Sequence, residues 1–397
     1  MTRQQGQQSK TEHSDDKWDS EDLATVRIKV LQGHTDSANS CQFIGGDKVL
    51  SSSTDCSVRI WNWRTRKCLR VFENLHKVNI PQTSADQDGK KFITCGWDKQ
   101  VKLWDSETGE KLLEKTHDDF LTCCQLSHDG NLAAIGSDLC KSLSVYDLRS
   151  GDLVYDLKNH HGSGVTSVKF SPDDDKVITT SMDKTAKFFD LISGNSTVKL
   201  EGHTNVVSSC SITSDERKFA TASWDKSIRL WDVATGMYRS KGPSVMSGGH
   251  DGSVGCCQFS RDGLFLVTGS YDMSIVVWDV ENNVQKLKLQ GHYGWVNDVA
   301  FSEDQNWLLS CSTDCTVRLW NIEESDKIPI VLENKKSVGI KVIKCSKCGK
   351  PFSMSQMESF RDVTVCVFCR LSSPEKPWLS FTDTPEGSEL AADVTPT

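Results

Sequence analysis

Two sets of side chains in this 397-residue chain have the types and spacing to do chemistry. The first is Cys345-x2-Cys348-x17-Cys366-x2-Cys369 near the C-terminal end. Two residues between paired cysteines let both sulfurs reach one ion from a tight turn, and Zn²⁺ takes four such ligands in a tetrahedron. Gly349 follows the second cysteine and suits the bend of such a knuckle, whereas the second pair, VCVFC, lacks a glycine and follows a strand-like VTV. Four protein ligands leave no open position, so the expectation is a structural zinc and not a catalytic one. A segment of about 25 residues buries little core, so metal ligation would supply its folding energy. The competing readings are unrelated thiols or redox pairs, and the latter need a βαβ context that this chain does not offer.

The second set recurs along the chain as a His, a strand Ser or Thr, and an Asp. His34 goes with Asp55, His203 with Asp225, His250 with Asp272 and His292 with Asp314, with degenerate copies around His76, His117 and His161 and their aspartates Asp98, Asp138 and Asp183. Taken singly, such a set resembles a hydrolytic triad. Seven near-equivalent copies cannot each be the one activated nucleophile of a cleft, so a structural role is the stronger reading. GxxxxGK[ST], HExxH and GxSxG are all absent. No enzyme and no small-molecule substrate are expected.

These side chains must be carried by repeating elements. An aromatic followed by Asp or Asn recurs at Trp61, Trp104, Tyr146, Phe189, Trp231, Trp278 and Trp320, at intervals of 43, 42, 43, 42, 47 and 42 residues. The long interval contains GPSVMSGG, which reads as a loop extension. Each unit has short alternating runs such as VRIWN, VNDVAFS and WLLSCS, separated by turn residues, the pattern of an all-β array. Cys123-Cys124 and Cys256-Cys257 fall in such strands, where neighbours face opposite ways and cannot easily share a metal. Packed free thiols are expected for all twelve cysteines before the tail pairs.

The GH…WD signature and the period resemble the WD40-repeat family from about Val26 to Asn321. The resemblance implies an all-β, seven-bladed WD40 β-propeller of four-stranded blades, here with a small C-terminal zinc-ribbon-like module. It also implies that His, Ser/Thr, Asp and Trp form a hydrogen-bonded network within each blade, making Trp61, Trp231, Trp278 and Trp320 structural. Repeats two, three and four lack an intact set, and Pro81 falls in an innermost strand, so this sector is expected to be less rigid. In the family an N-terminal strand closes the ring. VRIKVL (residues 26–31) suits that role, and KIPIVL (residues 327–332) competes for the same slot, with the N-terminal strand favoured. The resemblance further places the residue before each turn Asp, and the third after each His, on a face open to other proteins. Those positions make Trp97, Phe120, Trp224, Tyr271 and Trp295 candidate partner-binding residues. The competing reading is that each packs on a neighbouring blade.

The boundaries that follow are a disordered tail (1–22), a propeller (23–333), a four-cysteine zinc module (335–376) and a disordered acidic tail (377–397). Repeats run at about 33–72, 76–115, 117–157, 161–200, 203–242, 250–289 and 292–332. A net charge of −8 argues against a whole-surface nucleic-acid binder. No long apolar run or apolar leader appears, and 16 cysteines suit a reducing compartment, so cytosol or nucleus is expected, without a membrane. The favoured function is a protein–protein scaffold. One alternative is a substrate receptor of a cullin-type ubiquitin ligase, from the WDxR-like Trp61-Asn62-Trp63-Arg64 and Tyr146-Asp147-Leu148-Arg149. Another is a nucleic-acid-associated factor acting through residues 335–376, which carry nine basic and three acidic residues.

Overall fold

The computed structural model describes residues 26–233, 242–323, 332–333, 341–344 and 351–354. The chain divides into two compact units, residues 1–334 and 335–397. Seven four-stranded antiparallel blades lie in the first, over residues 38–72, 82–116, 121–157, 165–200, 207–246, 254–290 and 296–321, and the sheet of the sixth carries a fifth, parallel strand. The last of these has only three strands of its own. Its fourth is Ile28–Gln32, which pairs antiparallel with the strand Thr316–Asn321 in the register Ile28↔Trp320 to Gln32↔Thr316. Leu332–Glu333 pairs parallel with the outermost strand of blade 6 instead, so the two competing segments end on different blades.

A lone sheet of this size cannot bury both faces, and the core therefore lies between blades. Seven apolar clusters fill the seven junctions; the one between blades 7 and 1 joins Leu31, Val49, Trp61, Leu309 and Leu319. Strand alternation assigns the tandem cysteines to different junctions. Cys123 packs between blades 3 and 4 and Cys124 between blades 2 and 3, while Cys256 and Cys257 likewise separate. Burial pushes the Cys123 and Cys257 thiols up to about 12. Two cysteines depart from the packed-thiol expectation: Cys68 lies on an outermost strand and Cys140 on a turn, both exposed. The GPSVMSGG stretch also departs, because Ser244–Met246 within it is the outermost strand of blade 5, paired through Ile228↔Met246. The added length therefore precedes that strand.

The innermost strands explain how the ring is held near its axis. Six of them carry a β-bulge after their first residue, which turns the next side chain toward the following blade. In five, that side chain donates to the neighbour's backbone: Asn39 to Ile80 O, Thr122 to Val165 O, Thr166 to Val207 O, Ser208 to Val254 O and Asn297 to Ala38 O, at 2.5–2.9 Å. The sixth bulge holds Gly255, where a Cβ would meet the Tyr271 ring at 3.0 Å and Val296 O at 3.2 Å. The seventh strand has Pro81 at this place, and its strand starts only at Gln82, without a bulge. Proline thus precedes the ladder and costs it no donor. Free-edge N–H groups are satisfied similarly: Gln42, Ser84, Ser211 and Gln258 accept from Ala85, Leu126, Phe259 and Phe301 of the next blade. An innermost edge that would otherwise template aggregation is closed by its neighbours' side chains.

Leu31 is 1% exposed in the strand that closes the ring, whereas Val71, on an outermost strand, is 40% exposed. Leu31→Ala is expected to cost roughly 2–4 kcal/mol in chemical denaturation. Val71→Ala should stay within about 0.5 kcal/mol, and equal effects would show that Ile28–Gln32 is dispensable to closure.

Candidate functional site

In five blades the tryptophan, hydroxyl, histidine and aspartate form one relay. In blade 5 the Trp231 Nε1–H donates to Thr221 Oγ1 (3.0 Å), which contacts His203 Nε2 (2.8 Å), and His203 Nδ1 meets Asp225 Oδ2 at 2.8 Å. With the indole donating, the hydroxyl has its own proton free for Nε2, leaving Nδ1–H to donate to the carboxylate. The same order runs through Trp61, Ser51, His34 and Asp55, through Trp278, Thr268, His250 and Asp272, and through Trp320, Ser310, His292 and Asp314. In blade 6 the glycine before the histidine makes room for the indole, since a Cβ on Gly249 would lie 2.5 Å from Trp278.

Each carboxylate also caps backbone N–H groups of its own turn and of the residue after the histidine, as Asp225 does for Ser227 and Thr204. Burial opposes ionisation of Asp225, but bonds from Ser227 and His203 outweigh it and hold its pKa at about 2. Asp55, Asp98, Asp183, Asp272 and Asp314 are likewise held below the usual carboxylate range against burial. Burial lowers the pKa of His76, His203 and His292 despite their acidic partners. The relays of blades 2, 5 and 7 are therefore built of neutral imidazole and carboxylate at neutral pH, and all five relays are buried and self-satisfied. None presents a free nucleophile.

Blade 2 corrects the expectation that repeats two, three and four all lack an intact set, while blades 3 and 4 do lack it. Blade 2 has the whole relay, Trp104 to Thr94 to His76 to Asp98, at 3.1, 2.7 and 2.8 Å. Blade 4 has Phe189 in place of tryptophan, and His160 takes the missing contact at Thr179 Oγ1 (3.2 Å) beside His161 (2.8 Å). His160 packs edge-on against Phe189, and burial with the neighbouring His161 pushes its pKa down to about 3. Blade 3 is rebuilt. Ile135 occupies the hydroxyl position, so the Tyr146 hydroxyl reaches His117 Nε2 directly at 3.2 Å. Its turn is one residue longer, which moves Asp138 to the rim position that the reading assigned to Ser137; Asp138 N donates to Phe120 O. The buried carboxylate of this blade comes from Asp119, which accepts from Cys140 N (2.6 Å) and Phe120 N (2.7 Å). An acid directly beside the histidine loop was the available signal.

Above the relays, the five candidate rim aromatics separate into groups. Trp224, Tyr271 and Trp295 form a continuous row over blades 5, 6 and 7, with ring centroids 6.2 and 5.0 Å apart and the Tyr271–Trp295 pair stacked at 26°. Trp295 is 53% exposed. Phe120 lies under the Lys99 ammonium at 5.3 Å, and Trp97 stands apart in blade 2, 48% exposed. Tyr293 was missed by the sequence reading; it follows His292, its backbone N–H donates to Asp314, and its exposed ring lies under the Arg318 guanidinium at 5.6 Å.

The WDxR-like arginines have local partners. Arg149 Nε donates to Asn131 at 2.7 Å. Arg64 pairs with Asp47 at 2.5 Å and lies 4.5 Å over the Trp63 ring. Cys345, Cys348, Cys366 and Cys369 lie outside the described residues, as do both terminal tails. Among the described residues no group of three or more His, Cys, Asp or Glu side chains is placed to hold a metal ion. No helix among them is long and apolar enough to cross a membrane.

The family model of the WD domain, G-beta repeat, matches residues 25–62, 66–105, 151–190, 194–232, 243–279 and 283–321. The gap between residues 105 and 151 contains the first three strands of the rebuilt blade 3. Human WD repeat-containing protein 88 is 46% identical over 363 residues, covering 90% of this chain and 77% of that protein. Human Pre-mRNA-processing factor 17 is 29% identical over 175 residues, 42% of this chain and 30% of its own length. Rat apoptotic protease-activating factor 1 is 28% identical over 182 residues and is covered over only 14% of its length.

The relocated carboxylate gives a direct test. Asp119→Ala is expected to destabilise the protein by roughly 2–3 kcal/mol, through two orphaned N–H groups. Asp138→Ala should cost less than about 0.5 kcal/mol, with urea midpoints as the measurement. The reverse order would return the buried role to Asp138.

Proposed function

The chain belongs to the WD40-repeat family, and we propose that it is a non-enzymatic scaffold that binds partner proteins through the rim above its relays. The observation that carries this reading is the Trp224–Tyr271–Trp295 row. Blade stability does not ask for it, since Thr54, Met182 and Thr313 serve equivalent turns elsewhere without an aromatic. Large aromatics on a face otherwise made of loops are the usual anchors of protein interfaces. The self-satisfied state of all the relays supports a role in support rather than in chemistry.

In Trp224→Ala with Trp295→Ala, the set of proteins captured by proximity labelling in cells should shrink, while the melting temperature stays within a few degrees of wild type. A labelled set identical to wild type in a folded variant would end the rim reading.

The same proposal includes a structural Zn²⁺ held by Cys345, Cys348, Cys366 and Cys369. It is supported by the strands Lys341–Lys344 and Pro351–Met354, which pair antiparallel with Lys344↔Pro351. Cys345 and Cys348 fall in the sequence between these two paired strands. Bound zinc would supply the folding energy of a unit too small for a core of its own. The full-length protein should retain about one zinc per chain after dialysis, and Cys348→Ser with Cys369→Ser should lose it. Metal-free wild-type protein with four titratable tail thiols would refute the assignment.

A further inference from the structure

The rim is uneven in charge as well as in aromatic content. One residue past each turn aspartate takes a positive φ in six blades. In blades 2, 4 and 5 it is Lys99, Lys184 or Lys226 (φ 66°, 70° and 68°); in blades 6, 7 and 1 it is Met273, Cys315 or Cys56 (φ 67°, 65° and 62°). The backbone is the same in both groups, so the change from ammonium to uncharged side chain is not imposed by the turn. The loops after the histidines carry Lys77 in blade 2 but Asp251 in blade 6 and Asp36 in blade 1, and blade 3 has its own acidic loop at Asp118 and Asp119. Beneath them the turn carboxylates Asp272, Asp314 and Asp55 stay ionised, held by the relay bonds.

Lys226 stands at the blade 5 end of the row, two residues after Trp224, and two further cations reach its blade 6 and 7 end. Arg318 meets Asp314 at 3.3 Å below the rim, nearly buried. Lys288 lies 3.5 Å from Asp251, whose side chain is still 94% exposed. Neither covers the aromatic row. Gly255 gives that row its place: without a side chain on the bulge, the Tyr271 ring lies over the junction of blades 6 and 7 and stacks on Trp295. The outcome is a Tyr271–Trp295 surface in the anionic sector of blades 6 and 7, bounded by Lys226 at its blade 5 end. Aromatic faces attract cations through their quadrupole, guanidinium best of all by stacking, and neighbouring carboxylates reinforce the attraction.

We propose that the Trp224–Tyr271–Trp295 row receives an arginine-bearing basic segment of a partner protein, with the guanidinium seated on the exposed Trp295 ring beside half-buried Tyr271 and Asp251 and Asp272 supplying the countercharge. This rests on the reading of the rim as the partner-binding surface and specifies the chemistry that the surface selects. The lysines of blades 2 and 4, and Lys226 at the blade 5 end of the row, disfavour the same segment, which sets its position over blades 6 and 7.

The test uses the full-length protein with a (Gly-Arg)4 peptide amide and a (Gly-Glu)4 peptide of the same length. Binding is read from the indole Nε1–H resonances of the tryptophans. Saturable binding of the arginine peptide should shift Trp295 and Trp224 and leave Trp97 in place. Met273→Lys with Cys315→Lys installs the residue that three other blades carry at the same φ, so folding should be kept, and affinity should fall at least tenfold. Lys99→Met should leave affinity unchanged. The proposal is overturned by no saturable binding up to about 1 mM, by shifts confined to other tryptophans, by equal affinity of the double-lysine variant, or by preference for the glutamate peptide. If the tryptophan variants lose labelled partners in cells and the peptide test fails, the rim reading stands and only the cationic specificity falls. If labelling is also unchanged, both fall.

Discussion

The hydrogen bond between a histidine Nδ1–H and a turn carboxylate is the interaction on which the propeller depends. It joins the loop entering a blade to the turn between that blade's second and third strands, two segments about 20 residues apart, as in His203 and Asp225. Burial makes each partner costly if left alone, since an unpaired buried polar group loses its hydration without compensation. Pairing converts that liability into a fixed geometry. The hydroxyl and indole extend the chain into the core, and the glycine before the histidine lets the indole edge lie against backbone. Removing any one member leaves a buried donor or acceptor for the others.

The departures from this relay show that what the blades share is a pattern of hydrogen bonds rather than a set of residue types. Tyr146 brings its own hydroxyl to His117, so the intermediate Ser or Thr can become Ile135. His160 meets the hydroxyl of Thr179 that an indole meets elsewhere. Asp119 replaces a turn aspartate from the opposite loop. In each case the buried polar atom is satisfied by a group of different covalent origin. A ring of seven blades tolerates these exchanges because each blade bears only on its neighbours.

With the relays carrying stability, the loops above them are free to differ. The bulged side chains that cross from blade to blade hold the ring close to its axis without involving the rim. Gly255 is the one bulge that surrenders this bond, and Tyr271 occupies the space. A stabilising contact at one junction is thereby exchanged for an aromatic surface, which joins the rim's most recognisable feature to the only bulge without a crossing side chain.

From the sequence alone, the seven units, their order and their hydrogen-bonding residues were legible, because a repeat multiplies the signal of every position. His34, Asp55 and Trp61 read clearly since three further copies, at blades 5, 6 and 7, repeat them at the same spacing. Alternation also separated Cys123 from Cys124, as the period of a strand is 2. Where the spacing broke, the reading broke with it: the longer turn at Asp138 hid Asp119, and a substitution at Phe189 hid His160. Substitute partners come from other segments, and no local pattern records which segments meet. The choice between residues 26–31 and 327–332 for closing the ring was likewise decided by three-dimensional pairing, since either could satisfy the same strand edge by composition. The joining of Trp224, Tyr271 and Trp295 into one row was decided the same way. These residues lie 47 and 24 positions apart in the chain, and only the closure of neighbouring blades around a common axis brings their rings to stacking distance.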